Sequence, residues 1–435
     1  VFYNRKSGRK ELRMKKTNEE RLRTAKVKKP GFAYAFLGAV LTPIMKRKYG
    51  VHIHDDVGMK KVKEQHIFIS NHTSRIDYFF NAFTPLPNKY NFIVGYNEFY
   101  RKQFVMISKL LHLIPKKNFV ADTLSIKKAA RIIKQGGNIA IFPEGMNSIS
   151  GANQPVAIGT GKFLKHFNLP VYYSKIEGGY LTTPKYALNE RPGRVDVTYG
   201  KLFTPEDLKS LTPEEIEDKI NETLYHDAYA WNKIHGYSYK VGDNVAEGLE
   251  TLLYKCPKCG GEFTMTAKGN EIRCTRCGNG ARINDKYDMI PFDDTCVIPE
   301  TQTEWFNGER AIVREEIKNP DFSFSDEVEL GILPETHLVK GAATSEKVGK
   351  GKLTIDRSGL TYDGDKNGKP YKFHIDSLNL PTYGMCTDTS RFYTFPDGNF
   401  VEFYPKTPSV IKFLLATEEI HRLNGGKWQD FKFEK

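Results

Sequence analysis

The chain lacks any run of the ~20 apolar residues that a membrane-crossing helix needs. Its apolar stretch at residues 31–45, GFAYAFLGAVLTPIM, falls short and carries Pro43, which is expected to kink or end a helix. The stretch ahead of that apolar run is not expected to be a secretory signal either. The basic stretch ahead of the apolar run is long and mixed, and no small-residue cleavage site follows it. Cysteine is scarce, with only six in 435 residues, and Cys296 and Cys386 stand outside any paired pattern. Together these absences argue against an oxidising compartment and a disulfide framework. No internal repeats or low-complexity tracts occur, which excludes a repeat array. Acidic residues are in deficit, 52 Asp and Glu against 65 Lys and Arg, for a net charge of +13.

That charge is concentrated. Residues 1–29 hold twelve Lys and Arg against three Glu, so +9 of the total sits in an N-terminal arm. The apolar run that follows, flanked by Lys46, Arg47 and Lys48, has two readings. One is an interfacial helix that dips into the lipid boundary, its cations drawn to anionic headgroups. The other is a core helix under a solvated basic tail. At this length two or three domains are expected, and 39% apolar content suffices to pack them.

From residue 51 onward, short apolar runs alternate with helical patterns. Ile67–Ile69, Phe92–Val94, Ile139–Phe142, Val171–Ile176 and Val195–Tyr199 read as strands. Residues 98–113 read as an amphipathic helix with Phe99, Val105, Met106, Leu110 and Leu113 on one face. Residues 122–134 read as a helix with Asp122 as its N-cap and Gly136-Gly137 as its stop. The alternation predicts an α/β layered domain with a mainly parallel sheet flanked by helices, over residues 51–240. Residues 205–234 are expected to be helical with breaks.

Cys256, Cys259, Cys274 and Cys277 form C-x2-C-x14-C-x2-C, a zinc-ribbon spacing over residues 250–285. Each knuckle aims two thiolates inward, and two knuckles complete a tetrahedron around a structural zinc. Residues 286–340 are read as a linker. Residues 341–435 show short alternating strands broken by Asp363-Gly364, Asn367-Gly368 and Asp397-Gly398, then an amphipathic helix at 408–423. This small C-terminal β module with a terminal helix has a pleckstrin-homology-like pattern.

Chemistry concentrates in two stretches. Residues 66–77, HIFISNHTSRID, place His72 after a buried-strand pattern and just before a helix start, where Ser74 and Asp77 read as a capping box. His72 then sits at the carboxyl end of a strand, where open α/β sheets put their crevices. Asp77 can take one imidazole nitrogen and leave the other as a base. Residues 138–148, NIAIFPEGMNS, repeat the arrangement with Phe142-Pro143-Glu144-Gly145 after a strand.

The pair NHTSRID and FPEGMNS, in this order, resembles the glycerolipid acyltransferase family, typified by 1-acylglycerol-3-phosphate (lysophosphatidic acid) acyltransferases. The resemblance spans about residues 30–201. It implies an O-acyltransferase that moves a fatty acyl group from acyl-CoA or an acyl carrier protein to a lysophospholipid hydroxyl. His72 would be the base and Asp77 its partner, while Glu144 and Gly145 would bind the acceptor. A membrane-lipid substrate favours the interfacial reading of residues 1–50, and with it a cytoplasmic, peripherally membrane-associated protein.

The family usually continues Thr-Arg-Ser after FPEG, whereas this chain has Met146-Asn147-Ser148. The missing arginine is a phosphate-binding position. Arg75, Lys116 and Lys117 are the cations that could compensate, the last two lying where the family carries isoleucine-x-arginine. Asn147 and Ser148 complete the expected acceptor site. The substitution motivates an alternative, a degenerate acyltransferase kept as a lipid-binding or scaffold protein. A zinc-ribbon protein that binds nucleic acid or protein is a further one. Against nucleic acid, aromatics are not interleaved with the basic arm, and Lys268 and Arg273 are the only cations between the ribbon's cysteine pairs.

Overall fold

The computed structural model describes residues 16–341 and 343–427. The first half of the expected basic arm, from Arg5 to Lys15, lies outside them. The second half is not a solvated tail. Helix α1 (Asn18–Thr24) opens on a Thr17–Glu20 capping box. The Asn18 side chain donates to the Pro334 and His337 carbonyls, and Lys128 Nζ donates to the Ala25 carbonyl at 2.6 Å.

Helix α2 (Phe32–Lys48) runs through Pro43 without ending. The carbonyl that loses its donor belongs to Ala39, on the exposed side, so water can replace the bond. Tyr34 and Gly38 are buried. A Cβ at Gly38 would come within 2.5 Å of Leu86 and 2.8 Å of Phe83, so glycine is what lets the helix approach this closely. The opposite face is apolar too, with Phe32, Phe36, Val40 and Ile44 exposed at successive i, i+4 positions. No helix among the described residues is long and apolar enough to cross a membrane.

The central sheet has seven strands: β1 (Val51–Asp55), β2 (Ile67–Ser70), β3 (Tyr90–Gly95), β4 (Ile114–Lys116), β5 (Asn138–Ile141), β6 (Val171–Glu177) and β7 (Val195–Phe203). They lie in the order β1-β7-β6-β2-β5-β3-β4, and every neighbouring pair is parallel except β6 with β7. Strand β2 is buried at all four positions, as the unbroken apolar run of a parallel strand covered on both faces requires.

Around the sheet lie α3 (Asp77–Phe83), α4 (Lys102–Leu110), α5 (Thr123–Lys134), α6 (Thr160–Phe167), α7 (Gly179–Thr182), α8 (Pro205–Ser210), α9 (Pro213–Leu224) and α10 (Ala228–His235). Asp122 caps α5 by accepting from the Leu124 and Ser125 N–H groups. The single helix expected over residues 98–113 is two pieces, a 3₁₀ turn at Tyr96–Tyr100 and then α4, because Arg101 between them is extended. Met106, expected on its buried face, is 79% exposed.

The ribbon strands β8 (Met265–Lys268), β9 (Glu271–Cys274), β10 (Gly280–Ile283) and β11 (Met289–Pro291) form an antiparallel sheet. Residues 286–340, read as a linker, contain α11 (Gln302–Glu316) and β12 (Ser323–Ile332). Trp305, Phe306 and Val313 bury one face of α11, and Trp305 Nε1 donates to the Lys255 carbonyl at 2.9 Å.

The C-terminal strands are β13 (Glu346–Asp356), β14 (Gly359–Lys366), β15 (Lys369–Asp376), β16 (Gly384–Met385), β17 (Phe392–Thr394) and β18 (Val401–Pro405). With β12 they form a second seven-stranded sheet, ordered β15-β14-β13-β12-β18-β17-β16 and antiparallel throughout. Helix α12 (Val410–Leu423) closes it, with the Phe413 ring against Phe324 and Phe392. One continuous core joins Met146, Ile149 and Tyr180 of the first layer to the ribbon, α11 and this sheet. The accessory parts are therefore packed on the α/β layer rather than tethered to it.

Candidate active site

Strands β2 and β5 are neighbours with Ile69 opposite Ile141, so the loops that leave their carboxyl ends meet. The Asn71 carboxamide pairs with both main-chain groups of Ile176 on β6, at 2.8 and 2.7 Å, and fixes the first loop to the sheet. His72 follows. Its Nδ1 lies 3.0 Å from Asp77 Oδ2, and its ring stacks on Phe142 with centroids 4.2 Å apart.

Asp77 is fully buried while the imidazole remains 24% exposed. The carboxylate also accepts from Thr73 Oγ1 at 3.0 Å, from the Ser74 N–H at 2.8 Å and from Ser74 Oγ. The expected capping box is thus modified. Ser74 donates to Asp77, and α3 begins after Ile76 with no side-chain cap. A carboxylate on Nδ1 places the proton there and leaves Nε2 as a lone-pair acceptor. Among the described residues Nε2 has no partner.

Glu144, in the second loop, is buried. It is 2% exposed, and both of its oxygens are occupied by the chain itself. Oε1 accepts from the His72 N–H at 2.8 Å and Asn153 Nδ2 at 2.7 Å, while Oε2 accepts from the Gln154 N–H at 3.1 Å. Burial pushes its carboxyl up to about 8 against the pull of those donors. Both Glu144 oxygens are thus engaged by the chain's own donors, which the sequence does not reveal because a loop carboxylate and a buried one look alike in it. The Ser148 N–H donates to the His72 carbonyl at 2.7 Å, so the loop grips both sides of the His72 main chain. The Ser148 hydroxyl is buried and donates to the Ala152 carbonyl. Gly145 has φ +78°, and a Cβ there would press on the Phe119 ring at 3.1 Å.

The expected cations separate. Arg75 is spent on the carbonyls of Ala187, Leu188 and Asn189. Lys117 Nζ donates to the Gly398 carbonyl at 2.7 Å and lies over the Tyr96 ring. Lys116 is half-buried at the end of β4, and its side chain has no hydrogen-bond partner among the described residues; burial lowers its ammonium pKa, with Asp122 opposing. Asn147 Oδ1 accepts from Lys185 Nζ at 2.7 Å. Lys185 carried no sequence signal, since it lies in an irregular loop away from both motifs.

The four ribbon cysteines come together, their sulfurs all within 4.8 Å of one another. Cys256 and Cys277 sulfurs are 3.7 Å apart, and those of Cys259 and Cys274 are 3.8 Å apart. A tetrahedral ion with metal–sulfur bonds of about 2.3 Å has edges of about 3.8 Å. The group could hold such an ion, and all six cysteines are free of disulfides.

Residues 50–173 match a family model described as acyltransferase. Two curated relatives, both named 1-acyl-sn-glycerol-3-phosphate acyltransferase, come from Limnanthes douglasii and Limnanthes alba. Each is 28% identical over 191 residues, which is 42% of this chain. The match spans 64% of the relatives' own length. Among solved structures, the 1-acyl-sn-glycerophosphate (LPA) acyltransferase PlsC of Thermotoga maritima aligns with a TM-score of 0.36 at 18% identity. That alignment covers 44% of this chain and 78% of the other.

Proposed function

We propose that this chain, whose residues 50–173 belong to the acyltransferase family, is an O-acyltransferase acting on lysophospholipids. It moves a fatty acyl group from a thioester, acyl-CoA or an acyl carrier protein, to a free hydroxyl. 1-Acylglycerol-3-phosphate is the acceptor, which gives phosphatidic acid. The single observation that carries the reading is the His72–Asp77 contact at 3.0 Å, with the imidazole 24% exposed and Nε2 without a partner among the described residues.

The chemistry follows from that geometry. Asp77 fixes the Nδ1–H tautomer and steadies the imidazolium that forms. Nε2 takes the proton of the acceptor hydroxyl as its oxygen attacks the thioester carbonyl. The tetrahedral intermediate then expels the thiolate, which recovers the proton from Nε2. A positioned base of this kind contributes about 10²–10⁴-fold. The N–H groups of His72 and Ser74 are already bonded to Glu144 and Asp77, so the oxyanion must find other donors. Glu144 sets the position of the base, and Lys116 supplies a free ammonium for the acceptor's phosphate.

Zinc is the ion we assign to the four cysteines, in a structural role, because four thiolates close a tetrahedron and leave no open position. The exposed face of α2 supports peripheral attachment to a membrane surface, on the cytoplasmic side.

The test is thiol release from oleoyl-CoA with and without 1-acylglycerol-3-phosphate, for wild type and His72→Ala. Acceptor-dependent release that falls at least about 10²-fold in the variant is expected. Release that survives His72→Ala would remove the base from the reading.

A further inference from the structure

Residue 147 sits in the loop that grips His72, one position before Ser148, whose N–H donates to the His72 carbonyl. Its carboxamide is held on one side only. Lys185 Nζ donates to Oδ1 at 2.7 Å, and lysine offers donors alone, so the oxygen must face it and the NH₂ must face away. Asn147 is half-buried, and its Nδ2 has no partner among the described residues.

Lys185 itself is 1% exposed; burial lowers its ammonium to about 8, with Cys386 and Asp388 opposing and Arg75 adding to the shift. Its second bond goes to the Met385 carbonyl of β16 at 3.0 Å, and the Asp388 N–H returns to the Lys185 carbonyl at 2.8 Å. The same hairpin reaches the loop at a second point. The Tyr393 hydroxyl of β17 and Asn118 Nδ2 both lie beside Gly95, 3.9 and 3.8 Å from the place of a Cβ there, and Asn118 Nδ2 donates to the Gly145 carbonyl at 2.9 Å. The β16–β17 hairpin of the C-terminal sheet therefore braces the loop near residue 145 and near residue 147.

We propose that Lys185 is a positioning residue of the acceptor site. Its ammonium fixes the Asn147 carboxamide so that Nδ2 points into the crevice as the donor for a phosphate oxygen of the lysophospholipid, and the C-terminal hairpin holds Lys185 there. This rests on the acyltransferase reading. It gives the C-terminal sheet a part in acceptor recognition. It also accounts for asparagine where the resemblance leads one to expect arginine: a guanidinium at 147 would meet the Lys185 ammonium at contact distance, with no carboxylate bonded to either.

The test varies acceptor and thioester separately in the thiol-release assay, alongside thermal unfolding. Asn147→Asp is the discriminating variant. It keeps an oxygen toward Lys185 and strengthens that contact to an ion pair, but it removes the outward NH₂ and places an anion in the crevice. Expected is an unfolding midpoint at or above wild type. The KM for 1-acylglycerol-3-phosphate should rise about tenfold or more, with thioester KM within about twofold of wild type. Asn147→Ala and Lys185→Met should each raise acceptor KM, and the double variant should be no worse than Asn147→Ala, since both act through one amide.

An Asn147→Asp protein with wild-type acceptor KM would overturn the proposal while leaving the acyltransferase reading intact. So would Lys185→Met and Asn147→Ala effects that multiply. If Lys185→Met does not fold, Asn147→Asp decides alone. A wild type with no acceptor-dependent release would instead overturn the acyltransferase reading, and this inference with it.

Discussion

The His72 N–H donates to Glu144 Oε1 at 2.8 Å, so the base and the acidic loop are joined through main chain rather than through substrate. Replacing Glu144 by alanine would leave the His72 N–H, the Asn153 amide and the Gln154 N–H without an acceptor. Orphaned buried donors cost ~1–3 kcal/mol each. We expect Glu144→Ala to lower unfolding stability by at least that much, and turnover by about 10²-fold through displacement of His72. Urea unfolding and thiol release check the two effects. A stable, fully active variant would return Glu144 to a minor loop role.

The same carboxyl gives a pH dependence with a definite sign. Burial raises Glu144 from 4.5 to about 8. The folded protein therefore keeps a proton that the unfolded chain has released between those values, and stability from this group is full below about 4.5 and lost as pH rises toward 8. Glu144→Gln cannot ionise, so the difference in unfolding midpoint between variant and wild type should shift in the variant's favour from pH 5 to pH 8. A difference constant across that range would show that Glu144 does not titrate there.

Gly179 lies at the start of α7, against the dyad. A Cβ at this position would sit 2.4 Å from Thr73 Oγ1 and 3.4 Å from Asp77 Oδ1. Thr73 is one of the donors that orient Asp77. Gly179→Ala should therefore lower kcat by about tenfold or more while the thioester KM changes little. A kcat within twofold of wild type would mean that Thr73 swings aside without cost.

What could be read from sequence was local. Strand β2, the His72–Asp77 pair, the α5 cap and the cysteine spacing each depend on residues a few positions apart. Glu144 was visible as a residue but not in its burial, because nothing nearby says whether a loop carboxylate turns outward or inward. Lys185 and Met385 are 200 residues apart, and no periodicity links them. Helix α11 was hidden by its acidic surface, since its buried face rests on few apolar residues, chiefly Trp305, Phe306 and Val313. Pro43 does not end α2, and the carbonyl it frees, that of Ala39, lies on the exposed side.

The ribbon shares its core with α11 and the C-terminal sheet, so metal removal should be felt beyond the cysteines. Cys256 and Cys274 are buried within that core. Chelation, or Cys274→Ser, should lower the unfolding midpoint of the whole protein rather than release a separate early transition. One zinc per chain by elemental analysis, lost in the variant, is the matching stoichiometry. An unchanged midpoint after complete metal loss would make the four cysteines dispensable to the fold.

Helix α2 presents Phe32 at 81% and Phe36 at 61% exposure, with Val40 and Ile44 continuing the row. Its inner face is already packed, so substitutions on the outer face should not disturb the fold. Each phenylalanine moved from water into lipid contributes ~1.5–3 kcal/mol. Replacing both Phe32 and Phe36 by aspartate should reduce sedimentation with anionic vesicles by about 10²-fold or more, with the unfolding midpoint unchanged. Lys46 and Arg47 at the helix end add attraction that salt screens, so wild-type binding should also weaken with ionic strength but not vanish, because the apolar part is unscreened. Vesicle binding that survives the double substitution would move the attachment away from α2. Binding abolished by salt alone would make it electrostatic, with the aromatic row left outside the lipid.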